Sequence, residues 1–246
     1  MTHFRIDINV DMGEGIGNES QLMPYISSCN IACGGHAGNI ETMTEVVKLA
    51  KQYRVKIGAH PSFPDKENFG RKPIEMYAAE LFSTIRNQIN TLISVLDNEN
   101  AVLNHIKPHG ALYNLAAIDE KIAHVIIEVM KSVAMPLKLY VPYKSVIAGL
   151  AIKHHVPIIF EAFADRNYND DLSLVSRQSK NALINDYDDV FEHVYRMITT
   201  QKVNTIQGKE TNIFAETFCV HGDNLEAVNL VKYLKEHLEG KGIIIL

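Results

Sequence analysis

The sequence predicts a (β/α) barrel, and three observations carry that prediction. Short, apolar, often β-branched segments alternate with amphipathic helical ones along the whole chain. About seven such units fill 246 residues, a barrel-sized length. No linker or composition break divides the chain, so we expect one domain over residues 1–246.

The expected strands are Phe4–Asp11, Ser28–Cys33, Val55–His60, Val102–Lys107, Leu137–Pro142, Ile158–Ala164 and Thr217–Val220, with a strand-like tail at Ile243–Leu246. Near-continuous apolar character is what strands buried on both faces need. Between them, apolar residues recur at helical spacing. Met43, Val46, Val47 and Ala50 form one stripe, and Asn39 is placed to start that helix. Ile74 through Leu96 form one long helix. Ile122–Val129, Val190–Ile198 and Val228–Leu234 form three more. Alternation alone fits either a doubly wound sheet or a closed barrel. No G-x-G-x-x-G opens a helix after a strand, which weakens the dinucleotide-binding form.

Composition excludes several classes. The net charge is -5 and no basic stripe appears, so no nucleic-acid footprint is expected. No apolar run approaches a membrane span. The first residues pass straight into a strand pattern, without a signal-peptide core. Three cysteines, Cys29, Cys33 and Cys219, cannot all pair, which fits a reducing, cytoplasmic setting. Cys29 and Cys33 read as buried strand residues. There is no G-x-S-x-G elbow and no P-loop.

The informative residues stand late in the strands. Asp7, Asn9 and Asp11 alternate with Ile6, Ile8 and Val10, so three polar groups share one face. Helices cover the outside of a barrel, so that face must look into the lumen. Burying carboxylates there costs several kcal/mol each, by rough estimate, unless they are partnered. The pattern recurs in His105-Ile106-Lys107-Pro108-His109, in Glu161 to Arg166, and in His221-Gly222-Asp223. His36 and His60 sit among small residues in strand-to-helix loops. In a barrel all of these emerge at one mouth, where active sites lie. Each alone has a bland reading: a loop hydrogen bond for a single His, an N-cap for Asp223, an ion pair for Arg166. Six such strand ends together point to a site. His154-His155 reads as a solvated turn. His105 and His109 lie roughly 13 Å apart on a strand, too far to share an ion. A metal would instead join separate loops, with Asp11, His36 and His60 as the candidate set for zinc or a similar divalent ion.

These segments, in this order, resemble the LamB/YcsF family. The matching stretches are Asp7–Gly15, Asn30–Gly38, Gly58–Asp65 with Phe69-Gly70-Arg71, Lys107–Asn114, Glu161–Arg166 with Tyr168, and Cys219–Asp223. Gly35 stands where the family usually has a bulky aromatic. Asn39 replaces a usual Asp, Asp171 a usual Gly and Ser176 a usual Pro. The resemblance implies a distorted barrel of the glycoside hydrolase/deacetylase type. It also implies ATP-dependent 5-oxoprolinase activity, opening 5-oxoproline (pyroglutamate) to L-glutamate. The partners implied are 5-oxoprolinase subunits B and C, through which ATP would be used.

A lactam resists water, so activation, a base and a proton donor are needed. Asp11 or Glu14 is the candidate base, and His60 or His109 the proton carrier. Lys107 is a point charge for phosphate or carboxylate, and Arg166 a carboxylate fork. Asn9, His36, Glu161, Asp165, His221 and Asp223 complete the candidate substrate-binding set. Two alternatives remain open from sequence: a metal-dependent amidase or deacetylase acting alone on another small amide or sugar substrate, and a non-catalytic ligand-binding or regulatory subunit. A homo-oligomer is compatible with either.

Overall fold

The computed structural model describes residues 4–221 and 226–246. Seven parallel strands close on themselves: β1 (Arg5–Met12), β2 (Ser28–Ala32), β3 (Lys56–His60), β4 (Leu103–Ile106), β5 (Lys138–Pro142), β6 (Ile158–Phe163) and β9 (Thr217–Val220). Each pairs with the next in that order, and β9 pairs with both β6 and β1, which completes the barrel. The closure sets Asn9 opposite Ser28 on one side and Cys219 on the other. A short β10 (Ile244–Ile245) joins β1 at Arg5 and Ile6, at the end opposite the mouth. The ladder slips between Ile57 and Gly58 where β3 meets β4, one local irregularity in the ring.

The helices are α1 (Glu19–Leu22), α2 (Ile40–Tyr53), α3 (Ala78–Asn98), α4 (Gly110–Ala116), α5 (Glu120–Ser132), α6 (Val146–Lys153), α7 (Tyr187–Thr200) and α8 (Ala227–Gly240). Their apolar stripes meet the outward strand residues in one continuous core. Ile6, Ile8 and Val10 face that layer, together with Met43, Val46, Val47 and Ala50 of α2. Asn39 caps α2 as the sequence suggests, its Oδ1 accepting from the Thr42 backbone N–H at 2.8 Å. Among the described residues no helix is long and apolar enough to cross a membrane.

Strand bounds match the sequence expectations to within one or two residues. Three expectations change. The helix expected from Ile74 begins at Ala78. Ile74 and Met76 instead alternate with exposed Glu75 and Tyr77 in an extended segment that packs on the core. Helix α4 appears where no helix was expected, whereas α6 ends at Lys153, directly before His154-His155. An antiparallel hairpin, β7 (Lys202–Asn204) with β8 (Glu210–Asn212), lies outside the barrel. His155 takes φ 57° in the turn after α6, consistent with the solvated turn read for His154-His155.

The lumen is polar throughout its depth. Ser28 Oγ and Thr217 Oγ1 donate to Asp7 Oδ1 at 2.7 and 2.6 Å. Asn9 Nδ2 donates to Glu161 Oε1 and Thr217 Oγ1, and Asn30 Nδ2 donates to Asn9 Oδ1. Hydrogen bonds between neighbouring strands therefore replace the apolar filling usual in small barrels.

Candidate active site

The polar lumen opens at the C-terminal ends of the strands into a cavity of about 520 Å³. Asp11, Glu14, His60, Lys107, His109, Arg166 and His221 line it, together with Phe163 and Tyr113. Strand alternation delivers Asp11, His60 and Lys107. The turns after β1 and β4 deliver Glu14 and His109.

Lys107 is the floor. Its ammonium is 2% exposed and donates to Asp11 Oδ1 at 3.0 Å, Asn9 Oδ1 at 3.2 Å and Cys219 Sγ at 3.0 Å. Glu161 Oε1 is also 3.0 Å away. Burial works to lower its pKa, but Asp11, Cys219 and Glu161 outweigh burial and hold it well above the ordinary value. Burial works to raise the Asp11 carboxyl, but His60 and Lys107 hold it well below the ordinary range. Asp11 is thus a fixed carboxylate at neutral pH. Asn30, also on the lumen face, donates to Asp11 Oδ1 at 2.8 Å and receives His105 Nε2 on its own Oδ1 at 2.7 Å.

A histidine cluster forms one wall. His36 Nε2 lies 2.9 Å from Glu14 Oε1, and His109 Nδ1 lies 2.9 Å from His60 Nε2. His36 stacks on His109 with centroids 3.6 Å apart. The donor atoms of Glu14, His36, His60 and His109 all fall within 4.8 Å of one another, a candidate cation site. Asp11 Oδ2 stands beside it, 3.3 Å from His60 Nε2. Burial, then the neighbouring His60, depresses both the His36 and His109 imidazoles, His109 the more strongly, so both are neutral at pH 7. His105 is depressed as well, by burial and by Lys107. It stacks on Tyr140, away from His109.

The opposite wall is His221. Asp165 receives its Nδ1–H at 2.8 Å and its backbone N–H at 3.1 Å, which leaves Nε2 for a ligand. Burial works to raise Asp165, but the charge and hydrogen bonds of His221 hold it below the ordinary value.

Several sequence candidates stand elsewhere than expected. Asn9 and Glu161 lie beneath Lys107 and not on the cavity wall. His36 lies behind Glu14 and His109. Asp165 reaches the cavity only through His221. Arg166 does line the cavity, but Nε donates to Ala182 O and an Nη to Val175 O. Its fork therefore braces the 167–183 loop, and substrate would find those donors spent. Burial brings its guanidinium down to about 10. Asp223 lies outside the described residues. Sequence reading missed Asn30, and it missed Asn68, Arg71 and Lys72 on the segment after β3, Asn114 on α4 and Arg177 on the 167–183 loop, which line the cavity. For Asn30 the signal existed: it is two residues from Ser28, on the same strand face. Gly35 accommodates Gln88, which bridges the Ser62 backbone N–H and carbonyl. A Cβ at position 35 would lie 2.4 Å from Gln88 Oε1 and Ser62 Oγ.

The model described as LamB/YcsF family matches residues 6–246. The A-subunit of 5-oxoprolinase from Haemophilus influenzae (strain PittEE) is 43% identical over 235 residues, 96% of this chain and 96% of that one. Its namesake from Shouchella clausii (strain KSM-K16) is 42% identical over 245 residues, 98% of this chain and 97% of that one. The crystal structure of a lactam utilization protein from Thermus thermophilus superposes with a TM-score of 0.92 at 33% identity. That superposition covers 98% of this chain and 99% of the other. This chain belongs to the LamB/YcsF family.

Proposed function

We propose that this chain is the A component of an ATP-dependent 5-oxoprolinase, a hydrolase that opens 5-oxoproline to L-glutamate together with subunits B and C. The observation that carries the reading is the convergence of Asp11, Glu14, His60, Lys107 and His109 on one cavity. Relatives that share about two-fifths of its residues are named for that activity.

A ring amide is a poor electrophile. ATP, used through the partner subunits, would supply a phosphoryl group to its oxygen. Water then adds to the activated carbon and the carbon–nitrogen bond breaks, which leaves the acyl phosphate of glutamate; a second water hydrolyses that to L-glutamate and inorganic phosphate. Activation of that water falls to the wall formed by Glu14, His36, His60 and His109. Asp11 is too weak a base for the task, because Lys107 and His60 hold it ionised. Its role is electrostatic: with Lys107 it fixes the polar floor on which the reacting carbon sits. His221, oriented by Asp165, faces the cavity from the other side and is placed to give a proton to the departing nitrogen. Arg71 and Arg177, which line the same cavity, are our candidates to meet the substrate carboxylate.

The test mixes the full chain with subunits B and C, 5-oxoproline and ATP, and measures glutamate. Glutamate should form with the wild type and fall at least 100-fold with Asp11→Asn. No glutamate from the complete wild-type mixture would overturn the reading. One observation favours a second reading, a metal-dependent amidase or deacetylase acting without partners: the clustering of Glu14, His36, His60 and His109. Amide cleavage by the chain alone, without ATP, would select it.

A further inference from the structure

We propose that Asp11, Glu14, His60 and His109 bind one divalent transition-metal ion at the cavity floor, with His36 as the residue that positions Glu14. The argument starts from where the imidazole protons must be. His60 Nδ1 lies 2.7 Å from the Lys107 carbonyl oxygen, and His109 Nε2 lies 2.9 Å from that of Phe69. A carbonyl only accepts, so each of these nitrogens carries the proton. The other nitrogens, His60 Nε2 and His109 Nδ1, then present bare lone pairs, and they face each other at 2.9 Å. Carboxylate oxygens surround them. Asp11 Oδ2 is 3.3 Å from His60 Nε2, and Glu14 Oε1 is 3.5 Å from His109 Nδ1 and 4.0 Å from His60 Nε2. Four acceptors converge, and the one donor to them is His36 Nε2–H on Glu14 Oε1; the two bare imidazole lone pairs facing each other call for a cation between them.

Charge points the same way. Asp11, Glu14 and Glu161 bring three negative charges to this floor, and Lys107 answers one of them. The remaining charge of two matches a divalent ion. Geometry is compatible: donors ~2.0–2.2 Å from zinc stand about 3.3–3.5 Å apart at tetrahedral angles, and the separations here run from 2.9 to 4.0 Å around that value. The His60 and His109 rings are 86° apart, so one ion can lie in both ring planes. His36 does not qualify as a ligand in this arrangement. Its ring is parallel to His109, 3° apart in plane and 3.6 Å away, so no ion lies in both planes. It donates Nε2–H to Glu14 Oε1 instead, as partners of metal-bound carboxylates do. Two imidazoles and two carboxylates suit zinc or a neighbouring first-row ion better than magnesium or calcium. All four ligands line the cavity, so an ion there faces the substrate space.

The inference is independent of whether ATP is used, and its test reads metal and not turnover. The full chain is stripped with a chelator and titrated with Co²⁺ and Zn²⁺, followed by visible absorption and calorimetry. One Co²⁺ per chain should bind, with the absorption of a low-symmetry site, and Zn²⁺ should displace it. His60→Gln and His109→Gln should each abolish binding at one equivalent. His36→Gln should weaken it about 10–100-fold. His124→Gln, on an exposed helical side chain, should leave it unchanged. Should a variant fail to fold, the wild-type thermal midpoint decides: it should rise with one equivalent of Zn²⁺ and fall back on chelation. The proposal is overturned by no saturable binding to the wild type, or by unchanged stoichiometry in the His60→Gln/His109→Gln double variant. In the first case a proton shared between the two imidazoles is the cation.

Discussion

Lys107 concentrates the energetics of the site in one side chain. Its ammonium is the shared partner of Asp11, Glu161 and Asn9, all buried or nearly so. Removing one member of a buried ionic group leaves the others uncompensated and costs about 3–5 kcal/mol. Lys107→Met should therefore unfold at markedly lower urea at pH 7, and Lys107→Met/Glu161→Gln should recover part of the loss. An unchanged midpoint in the single variant would mean that the cation does not hold the floor. Asp165 gives a prediction with a defined pH sense. Its folded pKa is depressed by His221 below the ordinary 3.8. Its stabilisation is full above that unfolded value and is lost as pH falls through the folded one. Asp165→Asn should lose about 1.5–3 kcal/mol at neutral pH, the range for hydrogen bonds to a charged group. The gap to wild type should close in acid below pH ~3.8. A gap of constant size down to pH ~3 would show that the carboxylate charge is not what orients His221.

At the scale of elements, β3 shows how a strand makes room for the lumen. Gly58 sits at the register slip. A Cβ there would lie 2.1 Å from His105 Nε2, a ring already fixed by Tyr140 stacking and by Asn30. Gly58→Ala should cost about 1–3 kcal/mol by overpacking, seen as a lower thermal midpoint. An unchanged midpoint would mean that His105 has space to yield. The strands themselves were legible because apolar and polar residues alternate along them. The same alternation put Asp11 and Lys107 on inward faces. The hairpin of β7 and β8 was not legible: Lys202-Val203-Asn204 and Glu210-Thr211-Asn212 carry one apolar residue between them. Helix α4 is two turns long and starts at a glycine, too short for a periodic stripe. Arg166 was misread for a different reason. Its partners are the backbone carbonyls of Val175 and Ala182, and a carbonyl leaves no mark on a sequence. Arg71 and Arg177 were missed because they reach the cavity on two long segments far apart in sequence, which no local pattern encodes.

For the whole molecule, charge and cavity run in opposite senses. The chain carries a net -5, yet among the described residues the cavity is lined by Arg71, Lys72, Lys107, Arg166 and Arg177 against Asp11 and Glu14. Lys107 is answered by the floor carboxylates and Arg166 faces its own loop. Arg71, Lys72 and Arg177 add further positive charge on exposed residues that line the cavity. A low-dielectric cleft focuses such a field, so a small anionic substrate would be drawn in against the repulsion of the rest of the surface. Exposed charges act through solvent, and salt screens them over about 8–10 Å at 0.1–0.15 M. Binding of 5-oxoproline to the full chain, measured by calorimetry, should therefore weaken several-fold between low and physiological salt. Lys72→Ala and Arg177→Ala should each weaken it at low salt and flatten that dependence. In the complete enzyme the same variants should raise KM with little change in kcat, because they act on capture and not on the bond broken at the floor. Salt-independent binding, or a loss confined to kcat, would place recognition of the carboxylate deeper in the barrel, among the histidines.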